Sequence, residues 1–180
     1  MSPLSEEDRR ALLTLARRAI TEAVAHGRVL EEPSPGGVLA QPAGAFVTLH
    51  HVGRLRGCIG RVEAAEPLAD TVVRCAISAA LHDPRFDPVR GDELEGLAIE
   101  ISILTPPIPV RPGEIEIGRH GLVVSRGAFR GLLLPQVAVE HGLTPERFLD
   151  ETCRKAGLMP GAWRDAETQI HAFTCEVFAE

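Results

Sequence analysis

An α+β fold is predicted for this 180-residue chain by three features of its pattern. Two long stretches carry apolar residues at helical spacing, short β-branched runs follow one another in hairpin-like pairs, and Gly- and Pro-rich turns separate them. The expected form is a mixed or antiparallel sheet with flanking helices. At 19.4 kDa the chain suits one domain, or one domain with a subsidiary lobe, and is too short for two full-sized ones. With 44% hydrophobic and 24% charged residues it can build a core and does not read as disordered. Its net charge of −6 argues against a dedicated nucleic-acid binder, which needs a basic footprint.

The first element is a helix of about 20 residues, by the count of periodic positions. Ser5 caps it, Glu6, Glu7 and Asp8 occupy its first turn, and Leu12, Leu15, Ala16, Ala19, Ile20, Ala23 and Val24 form its apolar stripe. Gly27 stops it. Arg9, Arg10, Arg17 and Arg18 read as a solvated face. A loop is expected over 31–37 (EEPSPGG). Ala45–Leu49 is a strand, His50–Gly53 holds a turn, and Arg54–Gly60 is the hairpin partner.

Pro67 opens a second helix with Leu68, Val72, Val73, Ala76, Ile77, Ala80 and Leu81 on one face. The prolines of Asp83-Pro84-Arg85-Phe86-Asp87-Pro88 end it. Leu97–Thr105 is strongly β-branched and reads as a central strand. Pro106, Pro107, Pro109 and Pro112 form a stiff connection into a second lobe. There Gly121–Ser125 and Leu132–Leu134 make a hairpin, Pro135–Glu140 a short helix, and Thr144-Pro145 the start of another, closed by Gly157. Ile170–Phe178 alternates like a strand returning to the main sheet. The larger lobe is thus placed at about 1–105 and 160–180, the smaller at about 106–159.

No run approaches the 18 apolar residues of a membrane span. The acidic N-terminus MSPLSEEDRR lacks the pattern of a signal peptide, so a cytoplasmic location is expected. Cys58, Cys75, Cys153 and Cys175 are widely spread, and neither a disulfide framework nor a zinc site is expected from those spacings. No HxxE or HxxxH pair, phosphate-binding glycine loop or GxSxG elbow occurs, so no metal or cofactor is called for.

Chemistry concentrates in Arg56-Gly57-Cys58-Ile59-Gly60. Alternation puts Leu55, Gly57 and Ile59 on one face and Arg56, Cys58 and Gly60 on the other. Arg56 would then stand about 7 Å from Cys58 and favour its thiolate. Gly57 and Gly60 leave room for a substrate or another backbone. The alternative is that Cys58 fills a small niche beside a twisted hairpin. An activated cysteine needs a base, and among the seven histidines His120, at the mouth of a strand, is best placed. Glu100 shares a face with Ser102 in an apolar strand, so it must reach a cleft or pair with Arg56 or Arg85.

Taken together, Phe46–Leu49, Leu55–Gly60, Asp83–Phe86, Glu100–Thr105, Gly118–Leu122 and Leu134–Ala138 resemble, in order, the motifs of the AMMECR domain family. The likeness spans roughly residues 10–178. It implies an α+β fold with a larger lobe formed by both chain ends, a smaller inserted lobe, and the cysteine motif near the cleft between them. It also implies partners: a Memo-like protein and a radical S-adenosylmethionine (radical SAM) enzyme, as in component A of the AmmeMemoRadiSam system. His82 stands where the family pattern does not demand histidine, and it is not taken as a site residue.

The leading expectation is an enzyme or substrate-modifying component acting on a small molecule or peptide. Cys58 is its nucleophile or covalent carrier, with His120 as acid–base. Glu100 and Arg85 would orient these groups, and Arg56, Gly57, Gly60 and Gln136 would line or order the site. The competing expectation is a noncatalytic binding module in which the Leu55–Gly60 hairpin is structural.

Overall fold

The computed structural model describes residues 4–30 and 36–180, and most of the expected 31–37 loop lies outside them. The chain divides into two compact units, residues 1–104 with 176–180 and residues 105–175. Both are built of helices on antiparallel sheet, so the α+β class holds, with two sheets in place of one.

The first unit begins with helix α1 (Glu6–His26). The Ser5 hydroxyl accepts from the backbone N–H of Asp8, and the Asp8 carboxylate accepts from that of Ser5. This closes a capping box at the positive end of the helix dipole. Gly27 ends the helix at φ +62°, where a side chain would be strained. Strands β1 (Gly44–His51) and β2 (Arg54–Arg61) form a hairpin, helix α2 (Leu68–Leu81) follows, and β3 (Leu97–Leu104) pairs with the other side of β1. Ala45, Val47 and Leu49 of β1, with Ile99, Ile101 and Ile103 of β3, turn into the core. Leu12, Ala16 and Ile20 of α1 and Leu68, Val72 and Ala76 of α2 complete it.

Helix α2 packs directly on the backbone of β2. A Cβ on Gly57 would stand 2.1 Å from the carbonyl oxygen of Ala79, so only glycine lets the helix backbone sit on the strand.

The second unit holds β4 (Ile108–Pro109), β5 (Gly121–Arg126), β6 (Phe129–Leu133), helices α3 (Pro135–Glu140) and α4 (Pro145–Lys155), and β7 (Gln169–Phe173). Its sheet runs β4-β7-β5-β6. Leu122, Val124, Phe148, Leu149, Cys153 and Ala172 form a separate core. Two readings change here. The proline run is not a plain linker, because Ile108 and Pro109 pair with Ala172 and His171. The 170–178 segment is two strands: β7 belongs to the second sheet, and only β8 (Cys175–Ala179) reaches the first, whose order is β2-β1-β3-β8. Residues 160–175 therefore fall in the second unit, since β7 finds its hydrogen-bonding partners on β5.

The arginines of α1 are not simply solvated either. Arg9 pairs with Glu176, and Arg17 pairs with Glu180 while donating to the carbonyls of Leu94 and Leu97. They fasten the end of the chain to the first unit.

Two substitutions in the β1–β2 hairpin should act in opposite directions. Val52 is 82% exposed and sits at φ +51° beside Gly53 at +71°, the backbone of a type I′ turn that suits Asn-Gly. Val52→Asn should stabilise by about 1 kcal/mol through relief of β-branched strain. Gly57→Ala should cost about 1–3 kcal/mol or more by overpacking against Ala79. Urea denaturation midpoints of both variants test this.

Candidate functional site around Cys58

β2 is an edge strand, and its outer side presents backbone groups with no strand to pair with. At Cys58 the vacancy is filled by the turn that ends α2. The Cys58 N–H donates to Asp83 Oδ2 at 2.8 Å, and Arg85 Nη2 donates to the Cys58 carbonyl at 3.2 Å. Arg85 in turn grips Asp83 with two hydrogen bonds, from Nε at 2.9 Å and from Nη2 at 2.7 Å. Acceptor and donor are thus offered as a neighbouring strand would offer them.

The turn that holds them is itself tied down. Phe86 N–H bonds to the Asp83 carbonyl, and Val89 N–H returns to that of Ala80. The Asp83 side chain is 2% exposed and that of Arg85 54%. The guanidinium of Arg85, helped by the N–H groups of Cys58 and Arg85 and opposed by burial, holds the Asp83 carboxyl far below the usual carboxylate range.

The sulfur of Cys58 lies on the face of the sheet opposite the helices and is half-buried. Thr48 Oγ1 donates to it at 3.3 Å. Thr48 is the cross-strand partner of Cys58 on one side and of Glu100 on the other, so the three form one row across β2, β1 and β3. The Glu100 carboxylate has no hydrogen-bond or ion-pair partner among the described residues. The structural pairing with Arg56 or Arg85 considered from sequence does not form, because each arginine has its own acid.

Arg56 is displaced from its expected role by a β-bulge. Leu49 pairs with Gly57 but His50 with Leu55, leaving Arg56 as the extra residue, so simple alternation fails there. Its guanidinium bonds both oxygens of Glu93, at 2.8 and 3.0 Å, and the carbonyls of Asp87 and Pro88. Arg56 therefore binds the 87–93 segment and is not a thiolate partner. Arg56, followed by the backbone N–H of Arg90, draws the Glu93 carboxyl down to about 2.

The two motif glycines also serve packing. Gly57 receives the α2 backbone, and Gly60 lies under the Phe46 ring, whose nearest atom would stand 2.2 Å from an added Cβ.

The remaining expected residues belong to the second unit. His120 is half-buried in the turn before β5, where its Nδ1 accepts from the Glu116 N–H at 3.1 Å. The neutral ring therefore carries its proton on Nε2. Gln136 follows Pro135 in the first turn of α3, and its Oε1 is buried without a hydrogen-bond partner among the described residues. Among the described residues no group of three or more His, Cys, Asp or Glu gathers as a metal site, and no helix is long and apolar enough to cross a membrane. Sequence reasoning missed Asp83 and Thr48 as parts of the site. From sequence the turn supplies Arg85 as an orienting residue but gives Asp83 no role of its own, and Thr48 shows its place only once the strand register is known.

These features define an α+β chain of two units whose cysteine hairpin is held by an Asp-Pro-Arg turn. The AMMECR1 family profile matches residues 13–178, and the chain belongs to that family. A protein of Thermococcus gammatolerans is 47% identical, over 94% of this chain and 88% of its own. One of Methanothermobacter thermautotrophicus is 46% identical, over 99% and 97%. The crystal structure of an uncharacterized protein from Pyrococcus horikoshii is similar with a TM-score of 0.87 at 43% identity, over 94% of this chain and 90% of that one.

The clamp makes stability acid-sensitive. Asp83 and Glu93 both have lowered folded pKa values, so their stabilisation is present above the unfolded values of 3.8 and 4.5 and is lost as pH falls. Asp83→Asn should cost about 2–3 kcal/mol at pH 7, as for a hydrogen-bonded charge. It should also lose less further stability than wild type between about pH 5 and pH 2. Urea midpoints across that range measure both effects, and parallel curves for the two proteins would refute the assignment to Asp83.

Proposed function

We propose that this AMMECR1-family chain is a substrate-modifying component in which Cys58 acts as nucleophile or covalent carrier toward a small-molecule or peptide electrophile. The observation that carries this reading is the row Cys58–Thr48–Glu100: a half-buried sulfur, a hydroxyl bonded to it, and a carboxylate with no partner among the described residues. Two strand spacings of about 4.8 Å separate Cys58 from Glu100, and the Thr48 hydroxyl stands in that gap. In the proposed step the sulfur adds to a carbonyl carbon of the electrophile: the S–H and C=O π bonds break as the S–C bond forms, the thiol proton passes through solvent to Glu100, and the oxyanion takes up a proton from solvent.

Arg85 is a positioning residue in this reading, since it holds the backbone that carries the thiol. Family membership supports work alongside a Memo-like protein and a radical SAM enzyme. The four free cysteines support the reducing environment of the cytoplasm.

One observation favours a second reading, a noncatalytic binding module. Asp83 and Arg85 hydrogen-bond the backbone N–H and carbonyl of residue 58, an arrangement that any side chain there would allow.

Alkylation with iodoacetamide at pH 7.5 separates the two. Burial pushes the thiols of Cys75 and Cys175 up to about 11 and about 12, and raises that of Cys153, so these stay protonated and slow. The catalytic reading expects single labelling at Cys58, faster than an unfolded thiol and slowed severalfold by Glu100→Gln. Labelling of Cys58 no faster than an unfolded thiol, with cellular function kept by Cys58→Ser, would establish the binding module.

A further inference from the structure

The second unit contains a cleft that the Cys58 row does not use. Leu133 at the end of β6, Val137 on α3 and Leu143 in the following turn form its apolar wall. His141, Glu151, Arg154 and Lys155 line the rest, and the space measures about 530 Å3. That is within the usual range for a small-molecule site, whose pattern is an apolar wall with a few polar groups.

The charge in the cleft is one-sided once its pairs are counted. Glu151 is neutralised by its ion pair with Arg154, one turn along α4. The ammonium of Lys155 meets no carboxylate among the described residues. Its backbone is also firmly placed. A Cβ on Gly131 would stand 2.6 Å from the Lys155 carbonyl carbon and 2.3 Å from the Ala156 nitrogen, so the end of α4 presses directly on β6. Lys155 is the one lysine among 19 basic residues, the others being arginine. A compact ammonium on a flexible stem can meet a ligand's charge while its own methylenes extend the apolar wall.

We propose that this cleft binds a small carboxylate with an aliphatic body, its chain against Leu133, Val137 and Leu143 and its carboxylate on Lys155. An acid of about eight carbons fits the volume, and His141 adds an exposed polar group to the lining. The site is separate from the Cys58 row and does not depend on the function proposed for it.

The single lysine makes the test direct. Acetylation by an amine-reactive ester labels Lys155 and the chain's α-amine, and the latter serves as internal reference in peptide mass spectrometry. Millimolar octanoate should slow labelling of Lys155 at least fivefold without slowing the α-amine, whereas octanol and acetate should not. Lys155→Gln should weaken octanoate binding about tenfold by calorimetry, and Lys155→Arg much less, with unfolding midpoints unchanged in both. Three results would each overturn the proposal: no protection by octanoate, equal protection by acetate, or undiminished octanoate binding in Lys155→Gln.

Discussion

The open edge of β2 is the constraint on which the first unit's arrangement turns. An edge strand must satisfy its outward backbone groups, and at Cys58 it does so with one carboxylate and one guanidinium supplied by the Asp83–Arg85 turn. A carboxylate buried to 2% exposure would be costly alone. It is tolerable because Arg85 and two backbone N–H groups hold it, while the outer part of Arg85 stays in water. This single arrangement ends α2, covers the strand edge and fixes the backbone that carries the thiol.

A second clamp works beside it. The bulge turns Arg56 out of the strand's alternation and onto Glu93 and the carbonyls of residues 87 and 88. The segment after α2 is therefore pinned at both ends to β2. With Gly57 admitting the α2 carbonyl and Gly60 admitting the Phe46 ring, the motif becomes a set of close approaches. Four of its five residues from Arg56 to Gly60 are consumed by packing or hydrogen bonding within the unit. The Cys58 side chain is the exception, half-buried and touched by the Thr48 hydroxyl.

The second unit has its own core and its own logic. Asp150 accepts from the Gly161 N–H and the Trp163 indole, which sets the turn leading toward β7. β7 then pairs with both β4 and β5, so the proline run and the segment after α4 close one sheet between them.

Local patterns determined much of this protein: the capping box at Ser5, the stop at Gly27, the hairpin around Val52-Gly53, the buried β3 strand and the start of α4 at Thr144. Each depends on neighbours within a few residues, through capping, turn backbone or apolar period, and these are legible along a chain. The motif order also pointed to the AMMECR family and to Cys58. Tertiary structure alone decided the rest. Arg56 took Glu93 because a one-residue bulge changed where it points, and β7 joined the second sheet because its partners lie 44–64 residues earlier. Asp83, read as part of a helix stop, acquired its role from a strand edge 25 residues away. Hydrogen-bond partners across such separations leave no period in the sequence, and only folding brings them within about 3 Å.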